Sequence, residues 1–352
     1  MNEYTALGLM SGSSLDGVDL AFCRFFEDGQ SWQYRIVFAE TFSYPNEWKQ
    51  FLKNSLHAGG AELLEMDVEF GNYLGDLINK FLKQHQIKPD LIAIHGHTLF
   101  HQPARGFSFQ LGSGRAVAIK TGIETISDFR NKDILLGGQG APLVPIGDEM
   151  LFGRYDFCLN IGGIANISFA ENGNRVALDV CPANQLLNYL SLQLGKPFDK
   201  GGEIARKGQF IPALFDLLNA HWFYRSGFPK SLNNETVQTE FIPLVDNFEA
   251  SVEDKMFTVV KHIAFQIAQT GKGHSSGKIL ATGGGAHNKF LMEMIRKEGG
   301  FELFIPKAQL VDFKEALIFA FMGVLRHLGR TNCLASATGA RHNTSAGIIF
   351  YP

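Results

Sequence analysis

The reading of the fold turns on residues 8–19, Gly8-Leu9-Met10-Ser11-Gly12-Ser13-Ser14-Leu15-Asp16-Gly17-Val18-Asp19. An apolar run over 4–9 leads in, and another over 18–26 leads out. That pattern predicts a strand, a tight polar turn and a returning strand. Glycine in such a turn permits positive φ and close approach of the backbone to a ligand. The N–H groups of Gly12, Ser13 and Ser14, with the serine hydroxyls, could then bind phosphate oxygens as an anion nest. Asp16 or Asp19 could hold a Mg²⁺ through water, because that ion takes few carboxylates and keeps much of its hydration. The plain alternative is a β-hairpin with a polar tip, since the spacing matches neither a Walker A loop nor a Rossmann fingerprint.

Further along, the same pattern returns. Residues 156–161 are mostly apolar, Gly162-Gly163 makes a turn, 164–169 run back, and 175–180 form a third strand. Two such hairpins about 150 residues apart are read either as a duplication or as a coincidence; no repeat falls at the ~20–50-residue periods of solenoids. Between them lie a long amphipathic helix over 61–83 and a short buried strand over 91–94. That strand delivers His95-Gly96-His97-Thr98 to its carboxyl end, where open α/β sheets place ligand groups. Two histidines suggest a metal, but no third ligand is evident, so hydrogen bonding is the better reading. A strand over 125–127 ends in Asp128-Phe129-Arg130. Arg130 is either a solvated charge or a fork for a carboxylate or phosphate. Residues 137–145 carry three glycines and two prolines, which excludes a regular element and predicts a linker, hinge or binding loop.

Asp179 falls between a strand end and a helix predicted over 185–194, as a helix cap or as a base aimed into a cleft. Near the C-terminus, a strand over 278–282, Gly283-Gly284-Gly285 and a helix over 288–297 form the arrangement that puts an anion at a helix start. Gly277-Lys278 is not a Walker A ending, because Ile279 stands where Ser or Thr is needed. A buried helix over 314–328 opens with Glu315, and a strand over 346–351 closes the chain. The whole alternates α and β, predicting two α/β layers around a cleft.

Composition limits the function. The chain has 352 residues, more than one core usually carries. Its net charge of −3 gives no basic field for nucleic acid. At 45% hydrophobic and 19% charged residues, with a mean hydropathy of −0.01, it has an ordinary globular balance. No run reaches the ~18 apolar residues of a membrane helix, and the N-terminus lacks the pattern of a signal peptide. Cys23, Cys158, Cys181 and Cys333 are scattered, as expected of free cytoplasmic thiols.

These blocks, taken in order, resemble the bacterial anhydro-N-acetylmuramic acid kinases. The resemblance rests on residues 8–19, His95-Gly96-x-Thr98, Asp128-Phe129-Arg130, 137–145, 159–166, 196–199, Pro229-Lys230-Ser231, 283–288, Glu315-Ala316-Leu317 and the Ala-Thr-Gly-Ala run at Ala337. It implies the actin/hexokinase/Hsp70 ATPase fold: two ribonuclease-H-like α/β domains around a nucleotide cleft, here 1–138 plus about 330–352, and 139–329. It implies an ATP- and Mg²⁺-dependent reaction in which water opens the 1,6-anhydro bridge of the muramic acid sugar and O6 takes the γ-phosphoryl group. By the same resemblance Asp179 is the base. Gly12, Ser13, Ser14, Leu15, Asp16, Gly17, Val18, Asp19, Gly162, Gly163, Gly283, Gly284 and Gly285 contact nucleotide, with Asp16 and Asp19 near the metal. His95, Gly96, Arg130, Pro182, Asn184 and Glu315 contact the sugar, Arg130 through its lactyl carboxylate. A cytoplasmic homodimer is expected.

The chain departs from the family pattern at several positions. The family's Asp-Thr-Gly-Pro-x-Asn reads Asp179-Val180-Cys181-Pro182-Ala183-Asn184, which would set a bulkier residue beside the sugar. A Gln is replaced by His97, and a second Arg by Asn131. Two other readings are a kinase for another anhydrosugar such as levoglucosan, and an actin-like ATP-binding protein whose catalysis has decayed.

Overall fold

The computed structural model describes residues 2–12, 15–227, 230–271 and 277–352. The chain forms two compact units, residues 1–152 with 313–352, and residues 153–312.

In the first unit, β1 (Asn2–Ser11), β2 (Gly17–Asp28) and β3 (Ser31–Ser43) form an antiparallel meander. On the other side of β1 lie β4 (Leu91–Ile94) and then β7 (Thr125–Ser127), both parallel to it. A small ribbon of β5 (His97–Gln102) and β6 (Phe107–Leu111) is inserted between them in sequence. The second unit repeats this plan. β8 (Phe157–Ile161), β9 (Ile164–Glu171) and β10 (Asn174–Pro182) form the meander, and β11 (Lys278–Thr282) and β12 (Glu302–Phe304) follow in parallel beyond β8. In each sheet the first strand is central, flanked by its meander on one side and two parallel strands on the other. This is the ribonuclease-H-like arrangement, built twice. The last strand, β13 (Ile348–Phe350), is added antiparallel to β7 at the edge of the first sheet.

Burial explains the patterns. β4 is buried at every position, as a central parallel strand must be. The helix Gly60–His85 buries Met66, Phe70, Leu74, Ile78 and Phe81, spaced at three and four residues, against that sheet's core. It ends where Gln86 turns left-handed at φ 52°. In the second unit Val252–Thr270 supplies the equivalent cover, with Met256, Val259, Val260, Ile263 and Ile267 inside.

The boundaries differ from the sequence expectation. Residues 139–152 and 313–329 belong with the first unit. The reason is packing. A Cβ on Gly8 of β1 would run into the Ala316 carbonyl, and one on Gly323 would press to 2.7 Å from the Ala93 Cβ of β4. The helix Ala308–His327 thus lies on the first sheet through a glycine from each side. It starts six residues earlier than predicted and is irregular at Phe313 (φ −112°), where the division between the units falls. Residues 137–145 are likewise no linker between domains. Between the second meander and Val252–Thr270 the chain forms the helix Pro212–Asn219 and the 3-10 turn Trp222–Arg225.

Gly8→Ala should therefore lift this helix off β1 and cost about 3 kcal/mol in urea unfolding, as other overpacked contacts do; an unchanged midpoint would contradict the packing described.

Candidate active site

In the first unit, β1 ends at Ser11 and its turn begins. Ser13 and Ser14, predicted as phosphate ligands, lie outside the described residues. Leu15 closes the turn with φ 57°, and its N–H donates to the Gly12 carbonyl at 3.4 Å. Gly17 is glycine for packing, since a Cβ there would meet the Phe42 carbonyl. Val18 is fully buried, so only its backbone can face a ligand. Asp16 is exposed. Asp19 is half-buried and accepts from the Thr41 hydroxyl at 2.6 Å. Among the described residues no three His, Cys, Asp or Glu side chains stand close enough together to hold a metal. Asp16 and Asp19 remain a donor set of the kind Mg²⁺ uses, few carboxylates completed by water and phosphate oxygens. Just behind the turn the Ser11 hydroxyl is shared between the Tyr44 hydroxyl (2.7 Å) and His97 Nδ1 (3.1 Å). His97 therefore braces the turn from within.

Arg130 and His95 form the best-determined pair in this unit. The Arg130 guanidinium donates from Nε (3.1 Å) and Nη2 (2.6 Å) to His95 Nε2, and from Nη1 to the Gly140 carbonyl (2.6 Å). His95 Nδ1 donates in turn to the Gly96 carbonyl at 2.9 Å. An acceptor at Nε2 and a donor at Nδ1 fix one neutral tautomer. Burial, and then the Arg130 charge, hold the imidazole well below its ordinary pKa. Burial also pulls the guanidinium down to about 10, with Glu315 acting the other way, so it remains a cation at neutral pH. With both ring nitrogens engaged, His95 orients Arg130. Gly96 (φ 74°) makes the turn into β5.

A carboxylate that sequence reading missed stabilises this arrangement. Asp133 is fully buried. It accepts from the Gly140 N–H (2.8 Å), the Thr338 hydroxyl (2.7 Å) and the Cys333 thiol (3.2 Å). It thereby folds the glycine loop and sets the carbonyl that Arg130 grips. Glu315, half-buried on Ala308–His327, lies within electrostatic range of Arg130 and Asp19. Burial raises its pKa; Lys314 opposes this and Asp19 adds to it. Lys314 is itself tied to Asp148 at 2.6 Å in a buried ion pair.

In the second unit, the pairing of β9 and β10 slips between Asp179 and Cys181, leaving Val180 as a bulge. A bulge re-aims the side chains beside it. Cys181 is fully buried in the core, and Val180 nearly so. The bulk added at Cys181 is therefore directed into the core. Asp179 is half-exposed. Its Oδ2 accepts from the Leu232 N–H (2.8 Å) and the Ser231 hydroxyl (3.4 Å), and its own N–H donates to the Lys230 carbonyl (3.0 Å). Among the described residues no hydrogen bond reaches Oδ1. Burial raises the Asp179 pKa, against the lowering from the Leu232 N–H, the Ser231 hydroxyl and the Lys230 charge.

Around it the glycines sort into two groups. Asn184 opens the helix Asn184–Gln193, and its side chain donates to the Ile161 carbonyl at 3.1 Å. The N–H groups of Ala183 and Gln185 both donate to the Gly163 carbonyl, at 2.8 and 3.1 Å. This draws the helix start over the Gly162-Gly163 turn. Pro182 is buried opposite Ile164 at the end of β10. Gly283 (φ 80°) and Gly285 press on the end of β8, where a Cβ would strike Asn160 or Ile161. At Gly284 a Cβ would meet nothing nearer than Asn184 Nδ2 at 3.8 Å, and at Gly162 nothing nearer than the Ile164 carbonyl at 3.5 Å. Gly162 and Gly284 are thus the two open positions.

A polar hairpin turn, an anchored guanidinium and a carboxylate with one open oxygen correspond to the blocks read from sequence, and comparison with known proteins identifies the family. The profile of the anhydro-N-acetylmuramic acid kinases matches residues 4–352. This chain belongs to that family. The anhydro-N-acetylmuramic acid kinase of Actinobacillus pleuropneumoniae serotype 5b (strain L20) is 35% identical over 99% of this chain and 100% of its own length. That of Vibrio cholerae serotype O1 is 32% identical over 98% of each. Among solved structures, the ADPNP-bound activator of the 2-hydroxyisocaproyl-CoA dehydratase from Clostridium difficile covers 92% of this chain at 15% identity and a TM-score of 0.45, too weak a likeness to bear on function.

The His95–Arg130 pair makes a checkable statement about tautomer. Nitrogen-detected NMR of histidine-labelled protein should show His95 protonated at Nδ1 only and not titrating between pH 5 and 8. A ring that titrates near its ordinary value would show that Arg130 is not seated on it.

Proposed function

We propose that this chain cleaves the 1,6-anhydro ring of 1,6-anhydro-N-acetylmuramate with water and phosphorylates O6 from ATP, releasing N-acetylmuramate 6-phosphate and ADP. The observation that carries the proposal is Asp179, which has one carboxylate oxygen clamped, the other open, and a raised pKa. A base needs an accessible lone pair and a proton affinity above that of a solvated carboxylate. In the proposed step Oδ1 takes a proton from water as the water oxygen bonds to C1. The C1–O6 bond breaks, and the electron pair left on O6 attacks the γ-phosphorus as the bond to the ADP oxygen breaks. The proton leaves Asp179 with product release.

Arg130 is proposed to bind the lactyl carboxylate, as a fork already aligned by His95 and the Gly140 carbonyl. Glu315 is proposed to accept from a sugar hydroxyl. The hairpin turn at 12–17 and the open glycines Gly162 and Gly284 are proposed to receive the nucleotide phosphates on backbone N–H groups. Asp16 and Asp19 would hold Mg²⁺, which neutralises charge on the transferring phosphate. The four cysteines are free thiols, and no described helix is long and apolar enough to cross a membrane. With ATP as the donor, the cytoplasm is the compartment we propose, and a homodimer the assembly.

The deciding experiment is mass spectrometry of the reaction run in ¹⁸O-water, with levoglucosan in parallel. We expect muramate 6-phosphate carrying ¹⁸O at C1. Product from levoglucosan alone would overturn the substrate assignment. Asp179→Asn should keep nucleotide binding and lose about 10²–10⁴-fold in kcat. In the wild type, kcat/KM should fall as pH drops through the Asp179 pKa, and because that pKa is raised the loss should begin above the ordinary aspartate range. The glycines separate folding from function. Gly283→Ala strains φ and strikes Asn160, so it should lower stability. Gly284→Ala should leave the unfolding midpoint unchanged and weaken ATP binding measured by calorimetry.

A further inference from the structure

We propose that Lys230 is a positioning residue for this reaction, its backbone and loop clamping the Asp179 carboxylate while its ammonium, cradled on two aromatic rings, supplies that carboxylate's counter-charge. The proposal rests on the reading of Asp179 as the base.

Three observations converge on this loop. The Lys230 carbonyl accepts the Asp179 N–H at 3.0 Å, just before the Val180 bulge. The next two residues both donate to Asp179 Oδ2, Leu232 through its N–H and Ser231 through its hydroxyl. The Lys230 side chain turns back over two rings of the 3-10 turn Trp222–Arg225, with Nζ 4.3 Å from the centroid of Phe223 and 5.1 Å from that of Tyr224. Cation–π contact holds an ammonium in place without neutralising it. An Asp or Glu partner would neutralise it, and among the described residues Lys230 makes no direct ion pair. Its charge therefore remains available to its two nearby acids, the Cys181 thiol and the Asp179 carboxylate.

A half-buried base without a cation nearby would take up a proton from solvent and be spent before substrate arrived. A cation in direct contact would hold the carboxylate so firmly that it accepted no proton. An ammonium set back on aromatic rings lies between these limits. The other titratable groups around it do not interfere. Burial keeps the Cys181 thiol, on the same strand, neutral. Tyr224 is also held neutral by burial, and its hydroxyl is bonded at 2.8 Å to His262 Nε2 on Val252–Thr270, whose imidazole burial pulls down to about 3. His221, which caps the turn carrying Phe223 and Tyr224, is paired with Glu240 at 2.9 Å, and burial lowers the Lys230 pKa while Cys181 and Asp179 oppose this.

The test is the pH profile of kcat/KM with MgATP and 1,6-anhydro-N-acetylmuramate for the wild type, Lys230→Met, Lys230→Gln and Lys230→Arg. Removing a cation near a carboxylate typically raises its pKa by about one unit or more. The acid limb should move up by about one pH unit in Lys230→Met and in Lys230→Gln, and Lys230→Arg should return it towards the wild type. An acid limb unmoved in the neutral variants would overturn the proposal even if kcat falls, because a purely structural role lowers the plateau without shifting the limb. If Met does not fold, Gln carries the test, with nucleotide binding by calorimetry as the check on folding. Asp179→Asn separates the two ideas. Should it turn over normally, Asp179 is not the base and the underlying reading fails; should it be inactive while the limb stays fixed in the Lys230 variants, only the role of Lys230 fails.

Discussion

Holding a charge partly out of water at the end of a strand is the constraint both units are built to meet. A desolvated ion is tolerated only when its hydrogen-bonding capacity is met by fixed groups. In the first unit the ion is Arg130, beyond the end of β7. It is met by a neutral imidazole and a backbone carbonyl, and that carbonyl's own residue is held by the buried Asp133. In the second unit the ion is Asp179, near the end of β10. It is met by the N–H of Leu232 and the hydroxyl of Ser231 on one oxygen, with a cation set back. The two solutions differ in a way that suits their tasks. Arg130 has partners on all three guanidinium nitrogens, so it is aimed and cannot swing. Among the described residues Asp179 has no partner on one oxygen, which leaves it able to receive a proton.

The duplicated sheet explains why these ions sit where they do. In each unit the central strand runs beside its meander partner on one side and a parallel strand on the other, so its carboxyl end meets a tight turn on one side and a crossover on the other. Glycine serves two physical purposes there. Gly8, Gly17, Gly283 and Gly285 admit backbone or side chains that a Cβ would block, and they are structural. Gly162 and Gly284 face space and owe nothing to packing. The distinction needs coordinates, because composition alone gives each of these residues the same letter.

Much of this was legible in the sequence. Alternating apolar residues and glycine turns were enough to predict the first hairpin, the second meander, β4, β11 and the long helix over 61–83, while the return of the pattern near residue 156 left duplication and coincidence both open until the two strand orders matched. The helix over 308–327 was only partly legible. Its apolar run is unbroken, so periodicity could not tell which sheet it covers, and the deciding contact is Gly8 against Ala316. For His95 the hydrogen bonding expected from sequence is found, to the Gly96 carbonyl, but its second partner, Arg130, lies 35 residues away and no local pattern marks it. Asp133 and Lys230 were overlooked as functional supports. Their partners lie 205 and 51 residues away, at Thr338 and Asp179, and no local pattern marks such pairs.

The departures from the family pattern can now be weighed by what each side chain touches. Val180 and Cys181 turn into the core, where the bulge absorbs the change in shape and leaves the Asp179 clamp intact. Asn131 accepts from the Ser108 N–H at 2.8 Å and donates to Asp128 at 2.7 Å, bracing a residue held at φ 58° one step before Phe129-Arg130. His97 braces Ser11 behind the hairpin turn. All four substituted residues are thus bonded or packed internally, while Asp179, Arg130 and Glu315 are retained. A chain losing its catalysis would be free to lose the costly features first, namely a half-buried carboxylate and a guanidinium with no carboxylate in direct contact. Here those features are kept and supported.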